Sequence, residues 1–312
     1  MRTDVMRMNR KSWIRPDPDR SGPASEAGLG NFVFPRHEQK KRKMFAPEKK
    51  DTLRDTYTEE FFLEHQEYLP AYRYLAKLIL SAFDACAVES VCDVGCGHGF
   101  LVECLRQEGI SQSFGLDGSS SAEFLWNDTS HRGAYSVADL TSAEAVDALP
   151  PVDIVCSFET GEHLPKDAAD TYIRTLTHHG PAAIFFSAAT PFQNLGENPT
   201  HINEQQCGFW ITAFARWGYE LHVPATVALR NRMFSDFEVF RNAWWYPKNL
   251  LVFVPNGKRR KGIRLLMDEN GPVETPLWFP PGMETDPVSN LMFERDFYEY
   301  LYIVCRHAKV SS

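Results

Sequence analysis

Gly95, Gly97 and Gly99 stand at alternate positions directly after the β-rich run Glu89-Ser90-Val91-Cys92-Asp93-Val94 and directly before a helical stretch, Phe100 to Gln107. A strand that turns sharply into a helix while leaving its backbone open to a ligand needs residues without side chains at the bend. Strand, glycine loop and helix in that order form the opening unit of a sheet built from βα repeats. The rest of the chain must be compatible with such a sheet.

It is. Ser113 to Asp117 reads as a second strand, and Ser119 to Trp126 as a helix entered through serines that can cap it. Tyr135 to Ala138 is a third strand and Ser142 to Leu149 a short helix. Val152 to Ser157 is a fourth strand, followed by a helix from Lys166 to His178 that Gly180 closes. Ala182 to Ser187 is a fifth, almost wholly apolar strand, and Glu204 to Trp217 a helix ended by Gly218. Asn249 to Val254 reads as a late strand and Phe293 to Cys305 as an aromatic-rich helix. Upstream, Tyr72, Leu75, Leu78 and Ile79 repeat at helical spacing, and Pro70 separates that helix from an earlier one carrying Phe61, Phe62, His65 and Tyr68. Strands apolar on both faces, alternating with helices, predict a doubly wound α/β fold whose mostly parallel sheet has helices on both faces. Ligands of such sheets bind beyond the carboxyl ends of the strands.

Three acidic residues close three successive predicted strands: Asp93, Asp117 and Asp139. A carboxylate ending the second strand can accept hydrogen bonds from both hydroxyls of a ribose. Asp139 and Leu140 fall where an adenine ring would lie. The dinucleotide pattern places its last glycine one residue later, where this chain has Phe100, which disfavours a nicotinamide cofactor.

Asp93-Val94-Gly95-Cys96-Gly97-His98-Gly99 resembles the first motif of class I S-adenosylmethionine methyltransferases. The resemblance covers about residues 57–255. It implies a Rossmann-like, seven-stranded sheet with its last strand antiparallel, and S-adenosylmethionine as methyl donor. It also implies that Asp93 and the glycine loop (Gly95, Cys96, Gly97, Gly99) hold the amino-acid end of the cofactor. Asp117 with Gly118 would hold the ribose, Asp139 and Leu140 the adenine, and Phe158 and Glu159 would complete the contacts. Tyr57-Thr58-Glu59-Glu60-Phe61-Phe62 resembles the family's N-terminal lid, so Tyr57 is expected near the methionine part. Three segments follow: an unstructured basic extension at 1–50, the methyltransferase domain at 51–255, and an extension at 256–312 packed on it.

Glu159, Glu162 and His163 can converge on a divalent cation, a spacing similar to the metal-binding stretch of ubiquinone-pathway O-methyltransferases. Against this, Glu-His-Leu-Pro after the fourth strand is common across the superfamily, where it caps the next helix and lines the pocket. No metal is therefore expected. His163 is expected near the reacting methyl. His201 follows the fifth strand on the substrate side, where a neutral imidazole can take a proton from a hydroxyl or amine. The competing reading makes His201 and Asn203 caps of the helix beginning at Glu204. Trp210, Phe214 and Trp217 sit at core spacing, whereas some of Phe234, Phe237, Phe240, Trp244, Trp245 and Tyr246 are expected to line an apolar pocket.

Charge and cysteine usage narrow the partners. The net charge of -8 divides unevenly, because residues 1–50 carry 13 Lys or Arg against 6 Asp or Glu. The remainder is strongly acidic and repels a phosphate backbone, so nucleic acid is an unlikely partner for it. The seven scattered cysteines form no Cys-x-x-Cys pair and read as buried thiols of a reducing, cytoplasmic compartment. No apolar run approaches the roughly 18 residues of a spanning helix, and Met1 to Arg20 lacks the apolar stretch of a secretory signal. The expected activity is methyl transfer to an oxygen or nitrogen of a small metabolite. The alternatives are an RNA or protein methyltransferase docked by the basic arm, and a silent cofactor-binding module.

Overall fold

The apolar runs form strands because both of their faces are covered. In a computed structural model that describes residues 65–84, 87–120, 134–193, 198–257, 263–267, 273–274, 276 and 287–310, seven strands make one sheet. They are β1 (Ser90–Val94), β2 (Gln112–Asp117), β3 (Tyr135–Val137), β4 (Ile154–Phe158), β5 (Ala183–Ser187), β6 (Tyr219–Leu221) and β7 (Leu251–Pro255). Their spatial order is β3-β2-β1-β4-β5-β7-β6. β1 pairs in parallel with β2 and β4, β2 with β3, and β4 with β5. β7 runs antiparallel to both β5 and β6. The sheet is therefore Rossmann-like and doubly wound, with its last strand reversed.

Alternation sorts the strand residues between two cores. Val91, Ile154, Cys156, Phe185 and Val252 face one layer. That layer contains α1 (Leu69–Leu80), α2 (Phe100–Gln107) and α6 (Val223–Ser235). Cys92, Val155, Ile184, Phe186 and Phe253 face the other, which holds α3 (Glu144–Ala148), α4 (Ala169–Thr177) and α5 (Cys207–Arg216). Trp210 and Phe214 lie in this second core, as their spacing predicts, whereas Trp217 is 37% exposed and its indole N–H bonds Asp170. α1 carries Pro70 in its first turn, where the missing N–H costs nothing, and a 3-10 turn, His65–Tyr68, precedes it.

Several boundaries differ from the sequence expectation. β6 is three residues long and was not anticipated; it completes the sheet only because β7 lies beside it. α5 starts at Cys207, not Glu204, and no side chain caps it. Asn203 instead donates to the Gly161 carbonyl (3.3 Å) and accepts from Gln205 (3.0 Å). The helix after β4 begins with a 3-10 turn, Lys166–Ala168, preceded by Pro165, and neither it nor α4 has a side-chain cap. The capping role expected for the Glu162–Pro165 segment is thus not met. Phe234, Phe237 and Phe240 belong to the first core, and only Tyr246, on α7 (Trp245–Asn249), turns towards Phe158 at the end of β4.

α8 (Pro287–Val310) packs on α5, and its Tyr300 and Val304 meet Val223 and Val227 of α6. The Lys248 ammonium donates to Asp296 (2.8 Å) and Thr190 (2.6 Å), and all three side chains are buried. Arg230 stacks over Tyr300 at 3.9 Å. No helix among the described residues is long and apolar enough to cross a membrane. Tyr57 and the predicted helix Ser119–Trp126 fall outside the described residues, apart from Ser119 and Ser120.

Candidate functional site

The winding direction reverses between β1 and β4: from β1 the sheet grows to β2 and β3 on one side, then to β4 on the other. The crevice this leaves at the carboxyl ends is where such sheets bind ligands. Asp93 and the glycine loop stand at its head. Gly95 and Gly99 have φ of +79° and +75°, conformations that side chains resist. Space excludes them as well: a Cβ on Gly95 would lie 2.1 Å from Thr160 Oγ1, and one on Gly99 2.7 Å from the Tyr135 ring. The loop is fixed by Gly95 N–H donating to the Leu116 carbonyl at 2.7 Å.

Asp117 anchors the loop from the neighbouring strand. Its Oδ2 accepts from Gly97 N–H (2.8 Å) and its Oδ1 from Ser119 N–H (2.7 Å). Each oxygen retains a second lone pair, so the carboxylate can organise the loop and still receive two hydroxyl donors. Asp93 is different. Its side chain is buried, and no described residue donates a hydrogen bond to its carboxylate. Burial, and then the Asp117 charge, push its pKa up to about 8. With no hydrogen-bond donor or cation beside it among the described residues, a positive group placed there would offset the desolvation of the ionised form.

Asp139 is exposed, and its Oδ1 accepts from both the amide and the hydroxyl of Thr141 (2.9 and 2.7 Å). The Leu140 side chain is in the second core, leaving its backbone for a ligand. Cys96 is a buried thiol, its pKa raised well above the usual range by burial, then by the acids beside it. Cys92, Cys104 and Cys156 are buried thiols too, while Cys207 is half-buried and Cys305 exposed.

Glu159 follows β4 with φ of +51°, a strained value for a side-chain-bearing residue. Gln193 and Asn249 hold it there, donating to its two carboxylate oxygens at 2.8 and 3.1 Å, while its own N–H bonds the Ser187 carbonyl. Held in this way, Glu159 still lies beside Glu162. The side-chain nitrogen and oxygen atoms of Glu162, His163 and His201 lie within 4.8 Å of one another.

The turn Gly161–His163 reaches this cluster from β4, and residues 200–203 reach it from β5. Ile202 and Asn203 N–H both donate to the Glu162 carbonyl (2.9 Å each). His163 Nδ1 meets the Thr200 carbonyl and hydroxyl (3.2 and 3.0 Å), and His201 Nδ1 meets Glu204 (3.0 Å). A carbonyl and a carboxylate only accept, so each Nδ1 carries a proton. Burial, then His201, holds the His163 pKa down at about 4, so the ring is neutral at pH 7. Glu162 is held well above the usual carboxylate range by burial, then by Glu159.

Sequence reasoning missed Thr160, Tyr135, Gln193 and Asn249, which shape the loop and hold Glu159. Their partners lie between 20 and 90 residues away, and no local pattern encodes such contacts.

The reversed-strand sheet and the acid-lined glycine loop define a nucleoside-binding α/β domain. The chain belongs to the methyltransferase-domain family, whose profile matches residues 63–223; it is a S-adenosylmethionine-dependent methyltransferase. No curated protein matches it. Among solved structures it is similar to a SAM-dependent methyltransferase from Archaeoglobus fulgidus, with 19% identity, 52% of this chain and 75% of that chain covered, and a TM-score of 0.43. It is also similar to the magnesium protoporphyrin IX methyltransferase of Synechocystis with SAH bound, with 19% identity, 50% and 74% covered, and a TM-score of 0.38.

Proposed function

We propose that this enzyme methylates an oxygen or nitrogen of a small metabolite. The observation that carries the reading is the buried Asp93 carboxylate at the head of the crevice, to which no described residue donates a hydrogen bond. S-adenosylmethionine supplies a methyl group already made electrophilic by its sulfonium. Asp93 is suited to its ammonium, the second lone pairs of Asp117 to the ribose hydroxyls, and the backbone at Asp139 and Leu140 to the adenine edge. Phe158, Tyr72 and Tyr246 pack edge-on around the same end of β1 and β4 and exclude water there. Burial keeps the Tyr72 and Tyr246 phenols protonated, with pKa values raised above the usual range.

His163 and His201 form the polar end of the acceptor side, tied to the loop through Thr160, which packs on Gly95. The strongly acidic charge outside residues 1–50 supports a small substrate over a nucleic acid. The test is calorimetry with S-adenosylmethionine and S-adenosylhomocysteine, followed by a metabolite panel read by release of S-adenosylhomocysteine. Micromolar binding and turnover on a small hydroxyl or amine compound are expected. No binding sinks the reading, and turnover confined to RNA or protein acceptors moves the enzyme to another substrate class.

A further inference from the structure

We propose that a small cavity walled by α5, α6 and α8 takes the carboxylate of the methyl acceptor, with Arg230 as its counter-charge, so that the substrate class is a small carboxylic acid. This rests on the methyltransferase reading for the identity of the ligand; the carboxylate site stands on its own geometry.

The cavity has a volume of about 20 Å³. Phe186, Thr190 and Asn249 line it from the sheet, and Trp210, Arg230 and Tyr300 from the helices. One water needs about 10–15 Å³, so the space admits the terminal group of a larger ligand and not a whole metabolite. It lies on the ligand side of the sheet. Thr190 follows β5, and Asn249 precedes β7, which runs antiparallel to β5, so both stand at the carboxyl end. Asn249 joins the cavity to the crevice, because its amide donates to Glu159 just beyond β4 (3.1 Å). Gln205, also at the cavity, donates to Asn203 (3.0 Å) in the segment that carries His201.

Arg230 calls for an anion. Its side chain is 5% exposed, no described carboxylate pairs with it, and no described residue accepts a hydrogen bond from its Nε. A buried cation without a counter-charge is strongly unfavourable. The Tyr300 ring covers one face of the guanidinium, 3.9 Å from its carbon. A ring on the face leaves the donors in the guanidinium plane open to a planar partner.

The neighbouring groups suit the same ligand. The Trp210 indole N–H and the Tyr300 hydroxyl are buried and have no hydrogen-bond partner among the described residues; an indole only donates. Asn249 Oδ1, likewise unpartnered, is left to accept from a hydroxyl or amine. The other charges at the cavity are already matched. Lys248 and Arg295 both bond Asp296, while Glu299 accepts from Gly208 N–H (3.0 Å) and from the Cys207 thiol. A carboxylate meets a guanidinium edge through two parallel N–H···O bonds, which chloride cannot reproduce.

The test uses the full chain with sodium formate as the probe, sodium chloride holding the ionic strength constant. Broadening of the carbon-13 resonance of labelled formate should titrate to one saturable site in the millimolar range. Arg230→Gln should weaken that site about tenfold or more, and Arg230→Lys, which keeps the charge without the fork, by a smaller factor. Binding is read first on the parent chain, so a variant that fails to fold leaves that result standing. Without formate, Arg230→Gln should unfold at a urea midpoint no lower than the parent's, because it loses an uncompensated charge. A lower midpoint with formate binding unchanged marks a structural arginine and overturns the proposal. Acceptors are then compared in pairs, each hydroxy or amino acid against its methyl ester, by release of S-adenosylhomocysteine. The acid should be preferred about tenfold or more in kcat/KM, chiefly through KM, and Arg230→Gln should level the pair. No saturable formate binding, or no acid turned over, overturns the proposal. Formate binding with acid and ester turned over alike assigns the cavity to a separate carboxylate ligand and overturns the acceptor assignment. S-adenosylhomocysteine binding is measured separately; its absence, with formate still bound, sinks the methyltransferase reading and leaves the carboxylate site standing.

Discussion

Among the described residues no group donates a hydrogen bond to the Asp93 carboxylate, whereas Asp117 accepts from the N–H groups of Gly97 and Ser119. These two carboxylates, at the ends of adjacent strands, therefore respond differently to mutation. Asp117→Ala removes the anchor of Gly97 and two acceptor sites, and we expect cofactor affinity to fall by about 1–3 kcal/mol, measured by calorimetry. Equal affinity would remove Asp117 from the site. Asp93 has a pH signature instead. Its folded pKa, raised to about 8, means the native protein without cofactor holds a proton that the unfolded chain releases near pH 4. Stability from this group is complete below that unfolded value and is lost as pH rises through about 8. A bound ammonium favours the ionised form, so cofactor affinity should climb between pH 6 and 7.5, approaching tenfold per unit. Asp93→Asn should bind weakly, with that slope gone. A parent whose affinity is flat over this range would contradict the role given to Asp93.

At the scale of elements, the loop is a contact between two strand ends. Gly95→Ala combines a φ of +79° with a Cβ 2.1 Å from Thr160 Oγ1. Each defect costs about 1–3 kcal/mol, so the midpoint of urea unfolding should drop. Adding Thr160→Ala should restore only some of the part due to the clash, because the Cβ of residue 160 stays 2.8 Å from the new methyl, and leave the part due to φ. α8 is held by the buried Lys248–Asp296 pair, and Asp296→Asn should cost about 3–5 kcal/mol, because the ammonium stays buried without its counter-charge. Unfolding curves that superimpose with the parent would show that α8 does not depend on the pair. The elements also show what can be read from order alone. The run Phe100 to Gln107, bracketed by Gly99 and Gly109, matches α2 residue for residue, because its punctuation is local. The start of α5 is displaced because Asn203 and Glu204 are occupied by Gly161, His201 and Phe192. β6 escaped notice because three residues carry no detectable period.

At the scale of the molecule, the sheet was legible because a doubly wound fold repeats one unit, and each strand is apolar on both faces. The gathering of acids and glycines at the strand ends was legible for the same reason: they terminate strands that periodicity identifies. The cluster after β4 and β5 was not. It joins residues 162 and 163 to residue 201, and a spacing argument confined to one loop selects Glu159 in place of His201. The uneven charge gives a further expectation: removing residues 1–50 should leave kcat/KM on a small substrate within about twofold, since an arm of opposite sign serves no small acceptor. A large loss would point to docking of a macromolecule.

A crystal structure of the full chain grown with S-adenosylhomocysteine tests the central assignment most directly. The account predicts the ligand's ammonium on the Asp93 carboxylate, both ribose hydroxyls on Asp117, and the adenine against the backbone at Asp139 and Leu140. An empty crevice, or adenosine bound away from the Gly95–Gly99 loop, would contradict it.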